Sequence, residues 1–185
     1  MPVYYTSNIL RLFSEDLEQR PGARVLDVGP VCGENINFFA KKVKRLYVCD
    51  MFLRLDQDLR KGLLPERTWR HLDYLPQSFD GILLWDLADR IEDREAKMLT
   101  ELCSGLMRPG GKAVVFVLAK EAVLQTVNTF VIGDNFQVYL RPQPHIDLPL
   151  RSRQNRDVLA MMSPFKPVKS FIYRNGVREF LFQND

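Results

Sequence analysis

Apolar residues first recur at helical spacing between Ser7 and Gln19, where Ile9, Leu10, Leu12, Phe13 and Leu17 predict an amphipathic helix capped by Ser7 and stopped by Pro21-Gly22. The pattern then changes period. Arg24 to Val28 is a short β-branched run ending at Gly29, and Glu34 to Lys42 returns to helical spacing through Ile36, Phe38, Phe39 and Ala40. A second apolar run, Leu46 to Cys49, ends at Asp50, and Met51 to Lys61 predicts another helix before Gly62. Strand alternating with helix is the signature of a parallel sheet. The spacing further predicts a third strand near Thr68 to Leu72, a fourth over Phe79 to Trp85, a helix from about Arg94 to Met107 and a fifth strand over Lys112 to Leu118. Runs this short and this apolar suit strands buried on both faces.

Beyond Ala119 the rhythm is different. Val127 to Ile132 and Phe136 to Leu140 flank Gly133-Asp134-Asn135, which has the residue types of a tight hairpin, while a helix across Glu121 to Thr129 remains open. Arg141 to Pro149 reads as a proline-rich loop and Asn155 to Met162 as a short helix. Val168 to Tyr173 and Val177 to Phe182 then flank Arg174-Asn175-Gly176, and Asn-Gly between apolar runs is a strong hairpin signal. No repeat, low-complexity tract or linker divides the chain, so residues 1–185 are read as a single domain.

Composition narrows the class. The 185 residues are 46% hydrophobic and 26% charged, which is ordinary for a globular domain. A formal charge of +3, with both signs interleaved, gives little reason to expect nucleic acid as the main partner, and the basic stretch from Arg141 to Arg178 reads as solvated surface. The start, Met1-Pro2-Val3-Tyr4-Tyr5, has no basic region followed by an apolar core, and no apolar run approaches the roughly 20 residues that span a bilayer. The expectation is a cytoplasmic location without a membrane partner. Cys32, Cys49 and Cys103 stand apart and outside any CxxC pattern, and His71 and His145 have no second ligand at metal spacing, so reduced thiols and no metal site are expected.

The candidate chemistry lies in the first half. Asp27-Val28-Gly29-Pro30-Val31-Cys32-Gly33 places two glycines where a strand turns into a helix, which allows close approach of a ligand to free helix amides. Asp50 follows the next strand about 20 residues on, where a carboxylate can accept from both ribose hydroxyls of an adenosine. It can equally cap the helix that starts at Met51. Met51 and Phe52 can pack on an adenine or belong to the core.

Leu26 to Gly33 resembles the first motif of class I S-adenosylmethionine-dependent methyltransferases, Asp50 matches their ribose-binding acid, and Leu106-Met107-Arg108-Pro109-Gly110-Gly111-Lys112 resembles the loop before their fifth strand. The resemblance implies a Rossmann-like, mostly parallel seven-stranded sheet with helices on both faces, closed by a C-terminal antiparallel hairpin. It implies S-adenosylmethionine as cofactor, with Asp27, Gly29, Pro30, Gly33, Asp50, Met51, Asp73, Tyr74 and Trp85 around it, Asp73 and Tyr74 near adenine and Trp85-Asp86-Leu87 facing methyl donor and acceptor. The usual first motif is spaced Gly-x-Gly-x-Gly, and here Pro30 and Cys32 stand among only two glycines.

Methyl transfer from a sulfonium needs acceptor and methyl aligned within about 3 to 3.5 Å and no catalytic triad. Asp86 is the candidate general base for an acceptor that must lose a proton; it can instead cap the helix beginning near Leu87. The acceptor, small molecule or protein, is not readable. Tyr4, Tyr5, Phe130, Tyr139, Arg141 and Arg153 in the less family-like segments can shape its site or simply pack and solvate. The alternatives are a non-catalytic binding or regulatory protein on the same fold and a nicotinamide-dependent dehydrogenase, the latter disfavoured by the lack of Gly-x-Gly-x-x-Gly and by the terminal hairpin.

Overall fold

The structure, a computed structural model, describes residues 4–185; Met1 to Val3, part of the stretch read above for a leader, lie outside the described residues, as does the side chain of Ala122. In chain order the elements are β1 (Tyr5–Thr6), α1 (Asn8–Glu18), β2 (Arg24–Asp27), α2 (Gly33–Ala40), β3 (Arg45–Val48), α3 (Met51–Arg60), α4 (Pro65–Thr68), β4 (Phe79–Trp85), α5 (Asp93–Leu106), β5 (Met107–Leu118), α6 (Ala122–Gln125), β6 (Asn128–Ile132), β7 (Gln137–Pro142), α7 (Asn155–Met162), β8 (Lys166–Ile172) and β9 (Val177–Gln183). Among the described residues, no helix is long and apolar enough to cross a membrane.

The main sheet has six strands in the order β3-β2-β4-β5-β9-β8. β3, β2, β4 and β5 run parallel, and β9 and β8 are added antiparallel through Lys112↔Gln183 to Leu118↔Val177 and then the 177–183 pairing with 166–172. This is the expected Rossmann-like, mostly parallel sheet with its C-terminal hairpin, with six strands where seven were expected. The strand expected near Thr68 to Leu72 is not one. Pro65 starts a short helix at its first position, a 3-10 turn over Trp69–His71 follows, and burying the Trp69 side chain coils the segment instead of extending it. β3 is therefore the border of the sheet.

Helix α1 forms as its pattern predicts. The Ser7 hydroxyl accepts from Leu10 N at 3.1 Å, and Ile9, Leu10, Phe13 and Leu17 are all buried. Phe13 needs a glycine beneath it: a Cβ on Gly81 of β4 would lie 2.6 Å from Phe13 Cζ. Glu179 of β9 fixes the start of this helix. It is fully buried and accepts from Tyr5 Oη (2.8 Å), Ser7 Oγ (2.5 Å), Tyr173 Oη (2.7 Å) and Ile9 N (3.3 Å). Desolvation pushes its carboxyl above the ordinary range, and those donors hold it down.

The segment after β5 does form the expected two strands, with Asn135 at φ 54 in the turn, and the alternative helix shrinks to Ala122–Gln125. They do not extend the main sheet. β6 and β7 pair with β1 in a separate three-stranded sheet, ordered β1-β7-β6, so the two segments least like the rest of the fold come together. All five residues of β6 are buried.

Two buried hydrogen-bond clusters help to fasten the small sheet and its flanks. Asn35 of α2 donates from Nδ2 to Phe130 O at 3.0 Å and accepts from Ile132 N at 2.8 Å, replacing a neighbouring strand for β6. Arg90, fully buried, donates to the carbonyls of Leu124 (2.9 Å), Gln125 (2.7 Å), Thr126 (3.4 Å) and Leu148 (3.1 Å), so one guanidinium gathers both ends of the inserted segment.

Candidate functional site

In a sheet whose strand order reverses, the ligand crevice opens beyond the carboxyl ends of the strands at the reversal point. Here the chain leaves β2 for β3 on one side and returns to β4 on the other, so that point lies between β2 and β4, and Asp27, Gly29, Asp50 and Trp85 all border it. Gly29 has φ +84, and a Cβ there would sit 3.1 Å from Asp50 Oδ1 and 3.2 Å from Asp50 Cα. Glycine at this position is thus required both by the turn and by the approach of Asp50.

Asp50 serves as a cap and borders the crevice at once. Its Oδ1 accepts from Leu53 N at 3.0 Å, capping α3, and its Oδ2 accepts from Val31 N at 3.3 Å while the residue stays half-buried. Gly33 begins α2 with nothing within 4 Å of a Cβ built on it. Counting two residues on from Gly29, the middle glycine of the Gly-x-Gly-x-Gly spacing is replaced by Val31, whose side chain is 43% exposed. Pro30 is buried in the same turn. Cys32 is buried too, and that burial pushes its thiol up to about 11, far from a nucleophile at neutral pH.

The side of the crevice that the resemblance assigns to the methyl group is filled. Asp27 is buried, and its Oδ1 accepts from Gly29 N at 2.9 Å and from Trp85 Nε1 at 2.8 Å. Desolvation pushes its carboxyl up to about 6 against those two donors. Trp85 takes a left-handed backbone, φ 51, which for a bulky residue is strained and suits a residue held in place by its surroundings. Its indole lies parallel to the Phe130 ring at 6.2 Å between centroids, and Phe116 meets both rings edge-on at 5.4 Å and 4.9 Å. Phe130 belongs to β6, so the inserted strand closes over the crevice. Glu34 and Arg141 clasp its outer margin at 2.7 Å, a contact that lowers the Glu34 carboxyl to about 2, and a cavity of about 320 Å³ remains there beside Tyr139.

The other expected residues are distributed unevenly. Met51 is fully buried and is core, like Phe52. Asp73 is exposed on the loop after the 3-10 turn, and Tyr74 is half-buried with its ring edge-on to Tyr47 and Phe79. Asp86 does not face the crevice as a base. It is fully buried at the start of the 87–90 turn, with Oδ2 at 3.0 Å from Arg90 Nε, and burial pushes its carboxyl up despite that partner. Its Oδ1 has no hydrogen-bond partner among the described residues, and a base would have to act from within this buried ion pair. Its neighbour Asp89, pushed up by burial to about 7, accepts from Leu118 N at 2.7 Å and ends β5.

Among the residues of the less family-like segments, Tyr4 and Tyr5 donate to Asn175 O and Glu179, Arg141 pairs with Glu34, and Arg153 is buried against Ile91 O and Asp93. These are packing roles. Phe130 reaches Trp85 at the crevice, while Arg141 and Tyr139 lie at its outer margin. Asn35 and Arg90 were not singled out in the sequence; a polar residue on the buried side of an amphipathic helix is the one signal that marked Asn35.

No protein-family model matches the chain, and no curated protein sequence matches it. Solved structures do. A S-adenosylmethionine-dependent methyltransferase from Clostridium acetobutylicum superimposes with a TM-score of 0.61 at 12% identity, covering 95% of this chain and 88% of its own. The 1,6-didemethyltoxoflavin-N1-methyltransferase of Burkholderia thailandensis, with bound 1,6-didemethyltoxoflavin and S-adenosylhomocysteine, gives 0.56 at 17% identity over 96% and 78% of the two chains. The N-methyltransferase NodS of Bradyrhizobium japonicum gives 0.54 at 15% identity over 95% and 94%. What this chain shares with these enzymes is the class I methyltransferase fold.

Proposed function

We propose that this protein binds S-adenosylmethionine between β2 and β4 and transfers its methyl group to an acceptor that enters when β6 is displaced. The observation that carries the reading is the pairing of Gly29 with Asp50 at the point of strand reversal: a half-exposed carboxylate is held where a ribose can reach it, beside a turn that only glycine permits. The residues fit the adenosine end of the cofactor. Asp50 offers two acceptor oxygens, and Gly33 leaves open space at the first turn of α2. The cofactor supplies an already activated methyl group, so the chain's task is to bind, orient and exclude water. Trp85 and Phe130 supply that exclusion, and an acceptor that is soft or already ionised needs no base in place of Asp86.

A second reading rests on the same two rings. Trp85 and Phe130 stacked within a fully buried strand suit a scaffold that has given up the methyl end of the cleft and acts as a non-catalytic binding or regulatory protein. The alternatives part in calorimetric titration with S-adenosylmethionine and S-adenosylhomocysteine on the wild type, Asp50→Ala and Phe130→Ala. For the enzyme, the wild type binds, Asp50→Ala loses at least about tenfold in affinity, and Phe130→Ala binds more tightly than wild type because a closed conformer no longer competes. No binding of either ligand to wild type or Phe130→Ala retires the methyltransferase reading.

A further inference from the structure

Outside the crevice, a cavity of about 540 Å³ lies between α3 and the α4 segment, bordered by Arg54 and Lys61 from α3 and by Arg67, Arg70 and His71 opposite. Its charge is unusual for this chain. Most arginines elsewhere are matched to acids, as Arg20 is to Asp16, Arg60 to Asp56, Arg94 to Glu66, Arg108 to Asp80 and Arg141 to Glu34, and the cavity gathers three arginines and a lysine that are not. Arg54, Lys61, Arg67 and Arg70 have no carboxylate within ion-pair distance among the described residues. The one acid at the cavity, Asp58, accepts from Thr68 Oγ1 at 2.8 Å. Arg54 Nη1 lies 2.9 Å from His71 Nδ1; a guanidinium only donates, so Nδ1 accepts and the ring's Nε2–H is left as a neutral donor.

Four cations around one concavity repel each other, and an anion seated among them reverses that cost. The donors suit tetrahedral oxyanions, since three planar guanidinium forks can each take two oxygens and lysine adds a point charge. The volume lies in the range of small-ligand sites. It does not suit a nucleic-acid strand: no Phe, Tyr or Trp lines it, and single strands are held by aromatic stacking as well as by charge.

We infer that this cavity binds a phosphate-bearing small molecule, with a diphosphate the best match to its four cations. The site stands independently of the methyltransferase reading. Arg54 is one turn along α3 from Asp50, so the two ligands would lie side by side. The test is titration of the full chain with inorganic pyrophosphate at fixed ionic strength, for the wild type, an Arg67→Gln/Arg70→Gln variant and a Lys169→Gln control on exposed β8, with a ten-nucleotide single-stranded RNA as competitor. All three substitutions are on exposed side chains, and thermal melts verify folding. Saturable binding that weakens by roughly a hundredfold in the double variant and not in the control is the expected result. The inference falls if pyrophosphate does not saturate, if both variants weaken alike, or if the RNA binds far more tightly than pyrophosphate and is lost on the same double variant.

Discussion

Trp85 donates its indole N–H to Asp27 Oδ1 at 2.8 Å, joining the carboxyl ends of two neighbouring parallel strands at the mouth of the crevice. Asp27 titrates near 6 in the folded protein and near 3.8 in the unfolded chain, so between those values the native state holds a proton that the unfolded state has released. Its contribution to stability is complete below about pH 4 and is lost as pH rises through 6, an effect of up to about 3 kcal/mol. Asp27→Asn keeps the Oδ1 acceptor and removes the titration. Urea denaturation at pH 4.5 and 7 should therefore show a smaller loss of stability for Asp27→Asn than for wild type; equal losses would mean that the carboxyl is not held up by burial.

Gly29 and Gly33 flank the same turn and should respond differently to alanine. At Gly29 the positive φ and the contact with Asp50 both oppose a Cβ, so Gly29→Ala should cost about 1–3 kcal/mol and weaken S-adenosylhomocysteine binding together with it. At Gly33 nothing opposes it, and Gly33→Ala should melt within a degree or two of wild type, about 0.5 kcal/mol or less. Thermal melts of the pair decide this, and similar melts would remove the special status given to Gly29.

The Asp86–Arg90 pair makes a sharper claim about the inserted segment. Arg90→Met strands a buried carboxylate and frees four carbonyls, at a cost of about 3–5 kcal/mol. Adding Asp86→Asn should recover part of that loss, because the stranded charge is then gone. A double-mutant cycle measured by denaturation tests the coupling; additive losses would show that the two side chains do not depend on each other.

Glu179 holds three hydroxyls and one amide. Glu179→Leu leaves Tyr5, Ser7, Tyr173 and Ile9 N without their acceptor, each at about 1–3 kcal/mol before relaxation. Hydrogen exchange should accelerate first at the start of α1 and in β1, ahead of the parallel strands. Uniform acceleration over the whole chain would contradict a local role.

The central parallel strands were legible because a continuous apolar run is itself the cause of burial on both faces, as Ile82 to Trp85 and Val114 to Leu118 show, and the terminal hairpin because Asn175-Gly176 suits its turn although β8 is exposed. Asp50 was legible as a cap, and it caps α3; an N-cap carboxylate after a parallel strand also stands at the strand ends, where the resemblance implies a ribose-binding acid. Thr68 to Leu72 misled because its apolar spacing does not separate a strand from a short coil that buries one indole. The identity of β6 as a cover was hidden for a different reason. Trp85 and Phe130 are 45 positions apart, and nothing local to either announces the other. Asp86 had a plausible address but an unseen partner, Arg90, whose own task is to hold carbonyls about 35 and 58 residues further on.

The Tyr5–Thr6 pairing has a practical side. Tyr5 sits opposite Val138 and Thr6 opposite Gln137, Ile132 sits opposite that same Val138, and the strand of Ile132 carries the ring that covers Trp85. On the proposed function, tension at residue 4 would pass across two rows of hydrogen bonds to the strand that covers Trp85. A carrier or affinity handle fused ahead of Tyr4 would then pull on ligand entry, and two preparations differing only in that fusion should take up S-adenosylhomocysteine at different rates.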